Sequence, residues 1–132
     1  MNIEVIPRMR FHTSLAFALL ISIPLQAHHS GVMFDPMKEV SLKGTVKEFV
    51  FVNPHVSILL TVNDGTGQAV DWNIEAASTQ ALVRSGWRKS SLKFGDVVTI
   101  VGRPLRDGRP GAQLVRVILA DGTELGRGGP NF

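Results

Sequence analysis

The sequence predicts an all-β domain that carries one short helix, and three observations lead there. Between residues 39 and 119 apolar side chains recur mostly at every second position, the period of a half-buried strand. Turn signals at Asn53-Pro54, Asp64-Gly65-Thr66-Gly67 and Asp107-Gly108 cut these runs into strand-sized pieces. One segment, residues 79–85, breaks the alternation; Ser78 stands before it as a cap and Gly86 after it as a stop.

The first strand spans residues 39–52. Val40, Leu42 and Val46 share one face, while Phe49 and Phe51 are apolar on the opposite parity. A bend or bulge between Gly44 and Glu48 accounts for the slip in phase. The second strand spans 55–63, with Val56, Ile58, Leu60 and Val62 facing inward. A three-residue loop of Gly65, Thr66 and Gly67 then places Gly67 in a left-handed conformation. Closing that loop with Asp64 opposite Gln68 sets Val62 against Val70, Leu60 against Trp72 and Ile58 against Ile74. Apolar meets apolar at each step, which supports the register. The third strand runs from about 68 to 76. The helix follows, anchored by Leu82 and Val83, then Trp87 and a loop over 88–94. A fourth strand lies within residues 94–105, apolar on both faces from Val97 to Val101, and a fifth spans 112–119. Asp121-Gly122 turns again, and residues 121–132 read as a flexible tail.

Three strands, a helix and two more strands, with the first strand long and bent, is the order of an OB-fold, a small five-stranded and partly open barrel. Another small meander barrel is the alternative. Residues 39–120 form this domain, and residues 28–38 precede it as an irregular arm.

Upstream, residues 14–25 are an apolar run preceded by Arg8 and Arg10 and followed by Leu25-Gln26-Ala27. This is the layout of a secretory signal peptide, too short for a membrane span. We expect residues 1–27 to be removed after Ala27, leaving a periplasmic protein that begins at His28 and has no transmembrane helix. Met9 gives a tidier leader than Met1, because Glu4 is out of place in a basic one. Cleavage takes away Arg8, Arg10 and Glu4, so the 14 basic and 11 acidic residues of the chain become 12 and 10. A charge so nearly balanced gives no reason to expect a polyanion partner. The chain has no cysteine, so neither disulfides nor thiol chemistry are available.

Several stretches together resemble a known family. They are "AHHSGVMFD", "LKGTVKEFVFVNPHVSILLTV" and the run from "WNIEAAS" through "FGDVVTIVGRPLRDG" to "ILADG". They are similar to small exported bacterial proteins with a domain of unknown function, number 6152. The resemblance implies export and a small β-rich domain, and it supplies no activity.

The histidines after residue 27 fall in two places, His28-His29 and His55. A terminal amine beside an imidazole chelates divalent copper, and an imidazole from the fold would complete a nitrogen-rich set. Copper sites called histidine braces are similar in ligand type. The expected ligands are the amine and imidazole of His28 and the imidazole of His55, with His29 as an alternate. The strand register sets Ser57 opposite Glu75 and His55 opposite Ala77. His55 and Glu75 are then diagonal neighbours, roughly 7–8 Å apart at Cα, and Glu75 can orient His55 or join the metal shell. A loose solvated terminus and an ordinary polar strand face are the plainer readings.

A second candidate surface is basic. Arg84, Arg88, Lys89 and Lys93 gather around the helix and its loop, while Arg103, Arg106 and Arg109 flank the next turn. With Trp87 beside them, Arg84, Arg88 and Lys89 would suit an adaptor that meets a partner protein or an anionic glycan on an open barrel face. Nucleic acid is a poor fit, since an exported protein meets little of it and stacking aromatics are few. The glycine turns lack the strand–loop–helix setting of a phosphate loop. No Ser/His/Asp set has a recognisable spacing, so a binding module is expected rather than an enzyme.

Overall fold

The computed structural model describes residues 30–126. Six strands and one helix follow in chain order: β1 (Val40–Val50), β2 (Ser57–Asn63), β3 (Ala69–Glu75), α1 (Thr79–Arg84), β4 (Val97–Pro104), β5 (Gly111–Ile118) and β6 (Glu124–Gly126). A 3₁₀ turn, Ser30–Met33, precedes them. The strands lie side by side in the order β3-β2-β1-β4-β5-β6, and β5 also pairs with β3. That last contact is parallel, Asn73 with Gly111 and Glu75 with Gln113, and it turns the sheet into a five-stranded barrel. The OB-like topology is therefore present, and the expected partly open barrel is corrected to a closed one. The pairing joins segments far apart in sequence, which periodicity cannot reveal.

The hairpin between β2 and β3 has the predicted register. Val62 pairs with Val70, Leu60 with Trp72, Ile58 with Ile74 and Ser57 with Glu75. Asp64 sets it: its backbone N–H donates to the Gln68 carbonyl at 3.0 Å, and its carboxylate accepts from the Thr66 N–H at 2.8 Å and the Thr66 hydroxyl at 2.6 Å. Gly67 adopts φ 90°, open to glycine without steric cost. The slip in β1 is a bulge between Val46 and Glu48. It carries the strand from one face to the other, so that Val46 is wholly buried while Phe49 packs against the core from the far parity.

The core is the barrel interior. Val46, Ile58, Leu60, Ile74, Ile100, Leu114 and Val117 line it, each at most 1% exposed. Helix α1 closes one end with Ala81 and Leu82; Val83, expected as an anchor, lies on the outer side of this short helix and is exposed. Ser78 caps it as expected, its side chain accepting from the Ala81 N–H, and Gly86 follows with φ 92°. Trp87 then enters the core at 0% exposure, its ring 6.0 Å from that of Phe49. Its indole N–H donates to the Gly126 carbonyl at 2.6 Å. That bond ties down β6, formed where the sequence reading placed the start of a tail: the Asp121-Gly122 turn carries the chain back along β5, and Leu125 pairs with Val117. Residues 127–132, the rest of that tail, lie outside the described residues. Among the described residues no helix is long and apolar enough to cross a membrane.

Candidate functional site

The Asn53-Pro54-His55 corner joins β1 to β2, and each of its residues has a separate structural task. Asn53 reaches across to the start of α1, where its side-chain oxygen accepts from the Thr79 N–H at 3.1 Å and the Thr79 hydroxyl at 2.8 Å. The Asn53-Pro54 peptide is cis. Val56 extends the ladder past the strand ends, its N–H donating to the Ala77 carbonyl at 3.1 Å and its carbonyl accepting from the Ala76 N–H at 2.8 Å. Held this way, His55 stands over the end of β3. Its Nδ1 lies 2.8 Å from Oε1 of Glu75, and the two side chains are 29% and 32% exposed. The diagonal contact expected from the register is thus made. In the neutral ring, Nδ1–H donates to the carboxylate and Nε2 carries the lone pair.

Glu75 also lines a cavity of about 370 Å³, together with Asn73, Arg109, Gly111, Met33 and Phe34. The last two belong to the N-terminal arm, so the arm is fastened beside the corner. The Asp35 N–H donates to the Pro104 carbonyl at 2.9 Å, and the Arg106 N–H donates to the Met33 carbonyl at 2.9 Å. Arg106 adds a clamp, its Nε–H donating to the carbonyls of Val32 at 3.2 Å and Phe34 at 3.1 Å. Phe34 is buried at 5% exposure and bridges to Leu105. The sequence marked Arg106 only as part of a basic turn; a contact spanning more than 70 residues leaves no local signal. Arg109 is held by its own turn, its Nε 2.8 Å from Asp107 Oδ2.

The structure brings His55 and Glu75 together. His28 and His29 lie outside the described residues. Among the described residues no group of three His, Cys, Asp or Glu side chains could hold a metal, so His55 and Glu75 would need donors from the arm. Asp71, also on the outer face of β3, is already engaged: it accepts from Lys47 Nζ at 2.6 Å and from the Thr61 hydroxyl at 2.7 Å. These bonds, that of Lys47 foremost, hold the Asp71 carboxyl below its usual range.

The basic surface needs one correction. Trp87 was expected to meet a partner, yet it is wholly buried. Burying so large an apolar ring after the short helix, against Phe49 and the core, is favourable. Arg84, Arg88 and Lys89 remain exposed. Arg88 bends back, Nη1 donating to the Trp87 carbonyl at 2.8 Å.

The profile of a family of unknown function, DUF6152, matches residues 17–113. The chain belongs to this family. The DUF6152 match spans His28, His29, Asn53, His55 and Glu75, and it ends within β5. No curated protein and no solved structure matches the chain. Family membership therefore assigns no chemistry, and the geometry of the corner must be read for itself.

Proposed function

We propose that this DUF6152 protein is exported, is cut after Ala27, and binds a transition metal ion in the periplasm where the arm meets the Asn53–His55 corner. Copper is the ion the donor set suits best: a terminal amine and two imidazoles are neutral nitrogen donors of the kind divalent copper prefers. One observation carries the reading. Glu75 holds Nδ1 of His55 at 2.8 Å and also lines the cavity that Met33 enters. A carboxylate on the far nitrogen of an imidazole is the usual support for a metal-binding histidine, fixing its tautomer and raising its basicity. From Met33 back to His28 is five residues, at most about 18 Å of chain, and the reading requires that this span reach His55.

The chain's own residues would divide the work. His28 supplies the amine and one imidazole, His55 supplies a rigidly mounted imidazole, and His29 is the alternate donor. Glu75 positions His55. Copper titration of protein with a verified His28 terminus, followed by electron paramagnetic resonance, tests this. The expected spectrum is that of a nitrogen-rich, tetragonal site, and His28→Ala and His55→Ala should each change its hyperfine pattern. A spectrum unchanged by both substitutions, or a terminus other than His28, would defeat the proposal.

A further inference from the structure

We infer that the surface around Phe94 docks on an anionic lipid bilayer. Phe94 is 82% exposed, whereas every other described aromatic ring is buried or packed against the core. The ring is held out by a tight turn. The Lys93 N–H donates to Asp96 Oδ2 at 2.8 Å, and the Asp96 N–H donates to the Lys93 carbonyl at 3.1 Å. The turn is stitched to β1, because the Gly95 N–H donates to the Val46 carbonyl at 2.8 Å and the Val46 N–H donates to the Asp96 carbonyl at 2.8 Å. These bonds fix the backbone of the turn and hold the Cα of Phe94 at its tip.

The charge on its own segment is mostly positive, while Glu48 beyond the bonded Val46 and Asp121 from the β5–β6 turn are the acids nearest that segment. Between residues 84 and 96 stand Arg84, Arg88, Lys89 and Lys93, all exposed, against a single acid, Asp96. That acid is already occupied by the Lys93 N–H. Val83 and Val97, at the two ends of the segment, are 45% and 49% exposed. An aromatic ring on a rigid tip, with apolar flanks and a collar of cations, is complementary to a membrane interface: the ring enters the headgroup region and the cations meet anionic lipid. A soluble anionic glycan would engage the cations and leave the ring unexplained. The metal proposal plays no part in this argument.

The test is sedimentation with vesicles, using protein recovered from expressing cells with wild type and variants processed alike. Vesicles of phosphatidylglycerol mixed with phosphatidylcholine should carry the protein down, and added salt should release it. Phe94→Ser should lower the partition constant about tenfold, near the value of one Phe side chain taken from water. Lys89→Glu combined with Lys93→Glu should lower it by about tenfold or more. Fluorescence of Trp72 and Trp87, which lie in or against the core, serves as the check on folding and should not move in Phe94→Ser. The inference is overturned by failure to sediment, by equal sedimentation with pure phosphatidylcholine, or by full binding of Phe94→Ser. It is equally overturned if an anionic polysaccharide displaces the protein from vesicles and binds wild type and Phe94→Ser alike.

Discussion

A carboxylate oxygen of Glu75 lies 2.8 Å from Nδ1 of His55 and fixes the orientation of the ring at the corner. Glu75→Gln keeps an acceptor for Nδ1–H but removes the negative charge beside the ring. Copper affinity should fall about tenfold, and about a hundredfold in Glu75→Ala, where the ring also loses its mount. Competition with a chelator measures both, and equal affinity in all three proteins would show that Glu75 does not support the metal. A different residue decides how closely two strands approach. A Cβ on Gly44 would sit 2.5 Å from the Thr61 carbonyl oxygen and 2.9 Å from Leu60 Cγ. The first neighbour is backbone and cannot swing aside. Gly44→Ala should cost about 1–3 kcal/mol in urea denaturation, and a loss under about 0.5 kcal/mol would mean the barrel flexes there.

At the scale of the element, α1 shows how a six-residue helix persists when isolated helices of that length do not form. It is capped twice. Ser78 accepts from the Ala81 N–H at 3.4 Å, at the long end of hydrogen bonding, whereas Asn53 accepts twice from Thr79 at 3.1 and 2.8 Å. Asn53→Ala should therefore cost about 1 kcal/mol and Ser78→Ala less. Urea midpoints of the two variants decide it, and the reverse order would make Ser78 the principal cap. The sequence showed Ser78 because a cap lies beside its helix; it hid Asn53 because that cap arrives from 26 residues away. The same distinction runs through the strands. The β2–β3 register was legible because the Asp64–Gln68 turn and the apolar pairing agree. From that register the His55–Glu75 contact followed. β6 was not legible because three residues carry no period, although Asp121-Gly122 and Leu125 were the available hint. The Trp87–Gly126 bond and the clamp by Arg106 were equally silent, since each depends on a partner distant along the chain.

At the scale of the molecule, the barrel is held by an apolar interior with no buried polar or charged side chain among the described residues. Its sensitivity to acid must then come from the surface, and chiefly from the turns. Asp64, Asp107 and Asp121 sit on the β2–β3, β4–β5 and β5–β6 connections, and each carboxylate is held below its ordinary 3.8 by bonds within its own turn. The Thr66 hydroxyl is the main cause for Asp64, the Arg109 N–H for Asp107 and the Thr123 N–H for Asp121. Asp71, held by Lys47, is the fourth. In each case the folded protein favours the charged form more than the unfolded chain does. The stabilisation is therefore complete above the unfolded value, about 3.9, and is lost as pH falls through the lower folded values, because the unfolded state then binds more protons. The urea midpoint should drop between pH 5 and pH 3. Asp64→Asn can still accept from the Thr66 N–H but has no proton to take up, so its midpoint should start lower at pH 5 and fall less by pH 3. A wild-type midpoint that holds steady over this interval, or an Asp64→Asn midpoint that falls as steeply as the wild type's, would show that the turn carboxylates do not connect protonation to folding.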